Sequence, residues 1–181
     1  MSEPQFTYKI CLFGEVGVGK TTLVKRYLTG LFESNIRQTL GAELFVKFLE
    51  IEGSSIVLQI WDFAGEDMFR DLLPAYSAGA NAGIFMYDLS RPQTLHKLDD
   101  WLSIFKDSIE VEKDVPILMV GGKLDLVKQK ERTSQAAIDL KKLRSLFDYM
   151  ECSALTGENV QDIFSTLTKE ILIRKGILQT P

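Results

Sequence analysis

A glycine-rich stretch near the start of the chain could bind phosphate. Residues 14–21 read GEVGVGKT and match the pattern G-x-x-x-x-G-K-[ST], with a strand-like run before them and a helical pattern after them. In such a turn the backbone N–H groups converge on phosphate oxygens, the following helix contributes its positive N-terminal end, and Lys20 adds a point charge. The hydroxyl of Thr21 can bind Mg²⁺. The spacing therefore predicts a site for a nucleoside triphosphate or diphosphate.

A second candidate is the carboxylate of Asp62, which lies within WDFAGE at residues 61–66. The run before it predicts a strand, and open α/β sheets bind their ligands at the carboxyl ends of strands. Taken alone, an aspartate here is equally consistent with a helix cap or a turn residue. Because it follows a phosphate loop along the chain, we predict that Asp62 is the carboxylate on the magnesium side of the site.

Strand-like runs alternate with helical patterns along the chain. Six strands are predicted, at residues 6–13, 43–51, 55–63, 83–89, 115–120 and 149–153. The segments with helical periodicity are 20–29, 93–109, 133–147 and 160–175. This alternation predicts an α/β fold.

The apolar runs at residues 84–87 and 117–120 do not alternate with polar residues. This is typical of central strands covered by helices on both faces, so we expect three layers and a mostly parallel sheet. Residues 52–54 are too few for a crossover helix. The second and third strands are therefore predicted to form an antiparallel hairpin at one edge.

Composition excludes several classes of protein. The chain has 181 residues, of which 45% are hydrophobic and 25% charged, as in one soluble globular domain. Its net charge of -4 disfavours nonspecific electrostatic binding to nucleic acid or anionic lipid. No apolar run approaches the roughly 18 residues of a membrane helix, and the first residues do not resemble a signal peptide. Cys11 and Cys152 lie in apolar runs, which favours buried, reduced thiols and a cytoplasmic protein.

Five short motifs follow one another in an order that is typical of small GTPases. They are the loop at 14–21, Thr39 within RQTLG at 37–41, the block at 61–66, GKLD at 122–125 and CSA at 152–154. In this order they resemble the Ras superfamily over about residues 8 to 174. The sequence TLG, Trp61 and SAGA at 77–80 resemble the Rab-like branch.

This resemblance implies a single three-layer P-loop G domain over residues 1–181, with its core at about 8–174. Its sheet would have six mostly parallel strands with one antiparallel edge strand, accompanied by about five helices. The implied function is a guanine-nucleotide switch that hydrolyses GTP to GDP with Mg²⁺ as cofactor.

Two segments are implied to respond to the γ-phosphate, switch I at about 32–43 and switch II from 62 to about 76. Thr39 would bind Mg²⁺ and contact this phosphate, and the N–H of Gly65 would reach it from the opposite side. Without the resemblance, Thr39 is interpreted as a solvated loop threonine. Loss of the γ-phosphate would release both segments. The implied catalytic residues are Lys20, Thr39, Gly65 and Glu66, and the implied metal ligands are Thr21, Thr39 and Asp62.

Base recognition would depend on Asp125, whose carboxylate can accept hydrogen bonds from N1 and N2 of guanine and meets no such donor pair on adenine. Lys123 would lay its stem along the base, Phe32 would stack near it, and the N–H of Ala154 would meet the guanine carbonyl. Alternatively, Lys123 and Asp125 form a solvated loop pair, and Phe32 and Ala154 only pack. The implied nucleotide-binding residues are Gly14, Glu15, Val16, Gly17, Val18, Gly19, Lys20, Thr21, Thr22, Phe32, Thr39, Gly65, Lys123, Asp125, Ser153, Ala154 and Leu155.

Four positions depart from the family pattern. Gly122 replaces the usual asparagine of the base motif and Leu155 the usual lysine, which weakens the scaffold around the base. Glu66 replaces the glutamine that orients the attacking water, so its carboxylate either slows hydrolysis or serves as a base. Val16 fills the volume that the arginine of an activator needs. We predict weak intrinsic turnover; the alternative is a hydrolysis-impaired binding module held largely in one state.

The resemblance also implies partners. Effectors, exchange factors and activators would bind switch I and switch II, near Leu44, Trp61 and Tyr76, although these three side chains could equally pack between switch and sheet. No nucleic acid is expected, and the chain is predicted to be a monomer. Residues 177–181 contain no cysteine and residue 2 is not glycine, so we expect no direct lipid anchor on the residues given. Either a lipid-bearing C-terminus has been removed, or any membrane recruitment runs through a partner.

Overall fold

A computed structural model of the chain describes residues 5–109, 114–128 and 134–179. Within these ranges there are six strands, namely β1 (Phe6–Phe13), β2 (Ala42–Ile51), β3 (Ser54–Phe63), β4 (Ala82–Asp88), β5 (Ile117–Gly122) and β6 (Asp148–Glu151). The α-helices in the same ranges are α1 (Lys20–Thr29), α2 (Leu73–Ser77), α3 (Leu98–Ser108), α4 (Ser134–Leu143) and α5 (Val160–Arg174). Short 3₁₀ helices span Asp67–Leu72, Pro92–Lys97 and Leu124–Leu126.

The six strands form one sheet in the order β2-β3-β1-β4-β5-β6. The β2–β3 pair is antiparallel and the other pairs are parallel, as predicted. The hairpin turn consists of Glu52 and Gly53, with φ of 49° and 78°. Positive φ at both turn residues is typical of the type I′ turn that matches the twist of a two-residue hairpin.

Helices cover both faces of the sheet, which confirms the three-layer prediction. On one face α1 and α5 pack against residues such as Ile10 and Leu12. On the other face α2, α3 and α4 enclose a core that includes Phe13, Phe85 and Trp101. Every residue of β4 is buried, because this strand lies in the middle of the sheet between the two cores.

Parallel pairing brings the functional segments to one edge of the sheet. Leu12 of β1 pairs with Asp62 of β3, and Asp88 of β4 pairs with Gly122 of β5. The carboxyl ends of β1, β3, β4 and β5 therefore meet at the edge where ligands bind in open α/β sheets. The glycine-rich loop starts two residues after Leu12.

The predicted helix at residues 93–109 is two elements, a 3₁₀ helix at Pro92–Lys97 and then α3. Pro92 fixes φ at the first position of the 3₁₀ helix and cannot donate a hydrogen bond there. The fifth strand begins at Ile117 rather than at 115, since Pro116 has no N–H for the sheet.

The helix predicted at 133–147 ends at Leu143. Ser145 has a φ of 53°, and the N–H of Phe147 already donates to Ile117 O at the entry to β6. Residue 133 lies outside the described ranges. The helix stops because the chain must reverse here to pair with β5.

Both cysteines are buried, and neither forms a disulfide within the described residues. The prediction that both thiols are buried is therefore confirmed. None of the helices in the described ranges has the length and apolarity that crossing a bilayer requires.

Candidate nucleotide and magnesium site

The glycine-rich loop joins β1 to α1 in a conformation that requires glycine. Gly14 has a φ of 142°, and a Cβ built on it would lie 2.1 Å from Met86 O. Gly19 caps α1 in the left-handed conformation, with a φ of 105°. The loop backbone can therefore approach β4 closely and then enter α1 with free N–H groups at the helix start.

Lys20, the first residue of α1, is buried against this loop. Its Nζ donates to Gly14 O at 2.7 Å and to Glu15 O at 2.8 Å. Burial lowers the pKa of Lys20 to about 8, and the nearby carboxylates of Asp62, Glu15 and Glu66 act in the opposite direction. A buried ammonium held by backbone carbonyls is suited to an anionic ligand, because a negatively charged phosphate beside it would stabilise its protonated form.

Three oxygen-bearing side chains from different segments meet beside Lys20. Thr21 Oγ1 donates to Asp62 Oδ2 at 2.5 Å, and Thr39 Oγ1 lies 2.9 Å from Thr21 Oγ1 and 3.4 Å from Asp62 Oδ2. Asp62 Oδ1 is buried without a hydrogen-bond partner among the residues that the structure describes. Burial raises the pKa of Asp62 to about 6, while the hydrogen bond from Thr21 and the charge of Lys20 lower it.

This donor set fits Mg²⁺. The ion prefers oxygen ligands and is usually held by one or two carboxylates together with phosphate oxygens and water. Asp62 supplies one carboxylate with an unsatisfied buried oxygen, and Thr21 and Thr39 supply hydroxyls. In the described part of the chain no group of three or more His, Cys, Asp or Glu side chains could form an all-protein metal cage.

Two adjoining cavities lie along the predicted site and share Gly19, Thr22 and Lys123. The first has a volume of about 400 Å³. The residues of the predicted site that line it are Val16, Gly17, Gly19, Lys20, Thr21, Thr22, Thr39, Gly65, Glu66 and Lys123. The second has a volume of about 330 Å³. The residues of the predicted site that line it are Val18, Gly19, Thr22, Phe32, Lys123, Asp125, Ala154 and Leu155. The residues predicted to bind phosphate thus line mainly the first cavity, and those predicted to bind the base line the second, which adjoins it.

Four residues of the predicted set, Gly14, Glu15, Asp62 and Ser153, line neither cavity in the described structure. Gly14 and Asp62 accept hydrogen bonds from the lining residues Lys20 and Thr21. Ser153 is buried and donates to Asp125 Oδ1 at 2.5 Å, while its Oγ accepts from the N–H of Thr156 at 3.1 Å. Its geometry fits positioning of the Asp125 carboxylate rather than direct contact with a ligand.

Switch II is attached to the glycine-rich loop in two ways. A Cβ built on Gly65 would lie 2.2 Å from Val16 N, so this backbone contact permits only glycine. Glu15 Oε1 accepts from Arg70 Nη2 at 2.7 Å and from Trp101 Nε1 at 3.2 Å. The Arg70 guanidinium also lies 4.8 Å from the centroid of the Trp101 ring.

Sequence reasoning missed Arg70 and Trp101, since nothing in their spacing indicates that they meet Glu15. It also missed Asp88, which binds Lys123 Nζ at 2.8 Å and Arg91 Nε at 2.9 Å. Burial would raise the pKa of Asp88, but hydrogen bonds from Lys123, Ser90 and Arg91 hold it below its usual value. The rule that indicated Asp62, an acid at the carboxyl end of a buried strand, could have identified Asp88.

The predicted apolar surface near the switches is partly packed and partly exposed. Trp61 is half-buried, and its ring centroid lies 5.4 Å from that of Tyr76. Leu44 and Tyr76 are 45% and 40% exposed. Both alternatives from the sequence therefore describe part of the geometry.

Comparison with known proteins identifies the family. A sequence model of the Ras family matches residues 9–173. Mouse Ras-related protein Rab-17 is 36% identical over 171 residues, covering 94% of this chain and 78% of Rab-17. Human Ras-related protein Rab-30 is 34% identical, covering 95% of this chain and 83% of Rab-30. Ras-related protein Rab-18 of Lymnaea stagnalis is 35% identical, covering 96% of this chain and 85% of its own length.

The matched region contains the glycine-rich loop, residues 32–43 and 62–76, and the loop at 122–125, and it is built on the α/β fold described above. The chain therefore belongs to the Ras family, on its Rab-like side, and is a GTP-binding switch protein with GTPase activity.

Proposed function

We propose that this chain alternates between GTP-bound and GDP-bound forms and that its own hydrolysis step is slow. The observation that carries the proposal is the meeting of Lys20, Thr21, Thr39 and Asp62 beside a cavity of about 400 Å³. One of these residues belongs to switch I and one to the start of switch II. A terminal phosphate bound there would therefore act on both segments.

The phosphates would be held by backbone N–H groups of the glycine-rich loop and by Lys20. Thr21, Thr39 and Asp62 would hold Mg²⁺, which when bound neutralises developing charge on the phosphate oxygens. The N–H of Gly65 would donate to the terminal phosphate. Because Gly65 already packs against the loop backbone at Val16, a small movement of switch II would make or break this bond.

Guanine would be bound in the second cavity. Asp125 is oriented by Ser153 and can accept two hydrogen bonds from the base edge. Phe32 and the stem of Lys123 line the same cavity and offer apolar surface to the two faces of a ring.

Slow hydrolysis is proposed from two side chains at the first cavity. Glu66 Oε2 is buried and has no hydrogen-bond partner within the described ranges. A carboxylate there cannot donate to the attacking water's oxygen, and its charge lies beside the charged γ-phosphate. Val16 lines the same cavity and is 42% exposed, so its isopropyl group meets any arginine that an activator inserts.

The two switch segments would present the state of the nucleotide to partner proteins. Effectors, exchange factors and activators are proposed to bind around Leu44, Trp61 and Tyr76, where apolar surface is exposed beside both switches. A second candidate function is a nucleotide-binding module that hydrolyses too slowly to cycle. Glu66 and Val16 favour it, and the hydrolysis rate distinguishes the two.

The first test identifies the nucleotide. The purified protein is denatured, the released nucleotide is identified by chromatography, and the analysis is repeated after incubation with GTP and Mg²⁺. We expect GDP or GTP in about one equivalent. Release of no guanine nucleotide in either sample would overturn the proposed site.

The second test measures single-turnover GTP hydrolysis by the native chain, Glu66→Gln and Val16→Gly. We expect Glu66→Gln to be faster by about tenfold or more, which corresponds to about 1.4 kcal/mol in the barrier. Glu50→Gln, at an exposed position of β2, is the matched control and should leave the rate unchanged. Rapid, activator-responsive hydrolysis by the native chain would contradict slow turnover, whereas retention of GTP for hours would favour the binding module.

A further inference from the structure

The end of β4 is packed directly against the glycine-rich loop. Met86 O lies 2.1 Å from the Cβ position of Gly14, and Met86 Cε lies 3.5 Å from the Cβ position of Gly19. The same methyl group lies 2.4 Å from the Cβ position of Gly122. The Met86 side chain therefore fills the space between the end of β5 and the loop, and no hydrogen-bonding side chain extends from position 122 into it.

Two residues further along, a buried carboxylate collects several donors. The Asp88 side chain is 1% exposed and binds Lys123 Nζ at 2.8 Å and Arg91 Nε at 2.9 Å. Its other oxygen accepts from Ser90 N at 2.9 Å and from Ser90 Oγ at 2.6 Å. A carboxylate with this many charged and polar partners is fixed in position, and it fixes both cations in turn.

Both cations reach from Asp88 to the loop backbone. Arg91 Nη2 donates to Val16 O at 3.2 Å, and Lys123 Nζ donates to Gly17 O at 2.8 Å. Two successive carbonyls are therefore bonded from the same side. In a trans peptide the N–H points away from the C=O, so these bonds also orient the N–H groups of Gly17 and Val18 away from the two cations.

We propose that Asp88 and Arg91 are positioning residues for the bound nucleotide: they hold the peptide units of Val16 and Gly17 in the orientation that presents loop N–H groups to phosphate. This inference rests on the proposed guanine-nucleotide site. Arg91 is the distinctive part of the arrangement, because it connects the segment after β4 to the loop without contributing to either cavity in the described residues.

The test is the dissociation rate of a fluorescent GDP analogue, measured on the full chain in Mg²⁺ with excess unlabelled GDP. Arg91→Gln removes the positive charge together with the guanidinium bonds to Asp88 and to Val16 O. We expect dissociation to be about tenfold faster, in line with the loss of hydrogen bonds to a charged group. Arg91→Lys should give an intermediate rate, because one ammonium cannot bind Asp88 and Val16 O in the fork geometry of a guanidinium.

Arg144→Gln is the matched control. Arg144 is 35% exposed against 38% for Arg91, and it also pairs with an aspartate, Asp99, on a different part of the molecule. It should change the dissociation rate less than about twofold. Asp88→Asn is a further variant, and we expect it to accelerate dissociation at least as much as Arg91→Gln, because it leaves two cations without their shared carboxylate.

Native-like dissociation from Arg91→Gln would overturn the inference even if Asp88→Asn failed to fold. Equal acceleration by Arg91→Gln and Arg144→Gln would also overturn it, since the effect would then follow from a general loss of stability. If the native chain did not bind the GDP analogue at all, the proposed function itself would fail, which is a different result.

Discussion

The Met86 side chain fills the space that a side chain at position 122 would need. A Cβ at position 122 would lie 2.4 Å from Met86 Cε and 3.3 Å from Val18 O. Methionine is suited to such a gap because its unbranched thioether adapts to irregular shapes. An amide at position 122 would therefore need both room and a rearranged methionine. The substitution at one position is physically coupled to the residue at the other.

This coupling predicts non-additive effects of mutation. Gly122→Asn alone should destabilise the GDP-bound protein by about 1 to 3 kcal/mol through overpacking against Met86. In a Met86→Val background the same change should cost much less, because the methyl group is gone. Urea unfolding of the two single variants and the double variant measures this. If the loss of stability in the double variant equalled the sum of the losses in the two single variants, the two side chains would not compete for the space.

At the scale of elements, the middle of switch II has little hydrophobic packing of its own. The 3₁₀ helix at Asp67–Leu72 has no fully buried residue, and α2 is five residues long. This 3₁₀ helix is attached to the glycine-rich loop by the ion pair of Arg70 with Glu15, and the Arg70 guanidinium also packs on the Trp101 ring. An element with few buried contacts opens at low free energy, so its order depends on this attachment to the glycine-rich loop.

Removing that attachment should loosen switch II alone. We expect Arg70→Gln to speed amide hydrogen exchange across residues 66–77 by about tenfold and to leave β4 and α5 unchanged. Asp67→Asn is the control, because Asp67 is 86% exposed and its pair with Arg70 should contribute little. Hydrogen exchange followed by mass spectrometry measures both. Faster exchange throughout the chain, or none in switch II, would contradict this role for Arg70.

Much of the scaffold was predictable because its signals are local. The apolar run of β1 is bounded by Gly14, the two-residue turn at Glu52 and Gly53 leaves no room for a crossover, and the loop motif has a fixed spacing. Thr39 could be identified only through the family resemblance, since a lone threonine in a polar loop has no periodicity.

The long-range contacts could not be predicted from local pattern. Arg91 reaches Val16 across 75 residues of sequence, and Trp101 reaches Glu15 across 86. Both contacts depend on how the segment after β4 and α3 pack against the sheet. Packing of this kind is set by the whole fold and leaves no signature in residue spacing.

At the scale of the whole molecule, the sheet separates two hydrophobic cores, and each contains one cysteine. Cys152 belongs to the core under α1 and α5, and Cys11 belongs to the core under α2, α3 and α4. Both side chains are fully buried. Burial raises the pKa of each thiol to about 12, so neither forms a thiolate at neutral pH while it is enclosed. The two thiols therefore report on the two faces of the sheet.

Thiol labelling at pH 8 should consequently require unfolding. If the sheet makes the two cores cooperative, the variants Cys11→Ala and Cys152→Ala, each with one thiol left, should be labelled at similar rates. GDP with Mg²⁺ at 100 times its Kd stabilises the folded state by about 2.7 kcal/mol, so labelling should slow about 100-fold where refolding outpaces the reagent. Labelling that GDP slows for only one of the two thiols would show instead that the faces of the sheet open independently, and that the nucleotide site is coupled to one core alone.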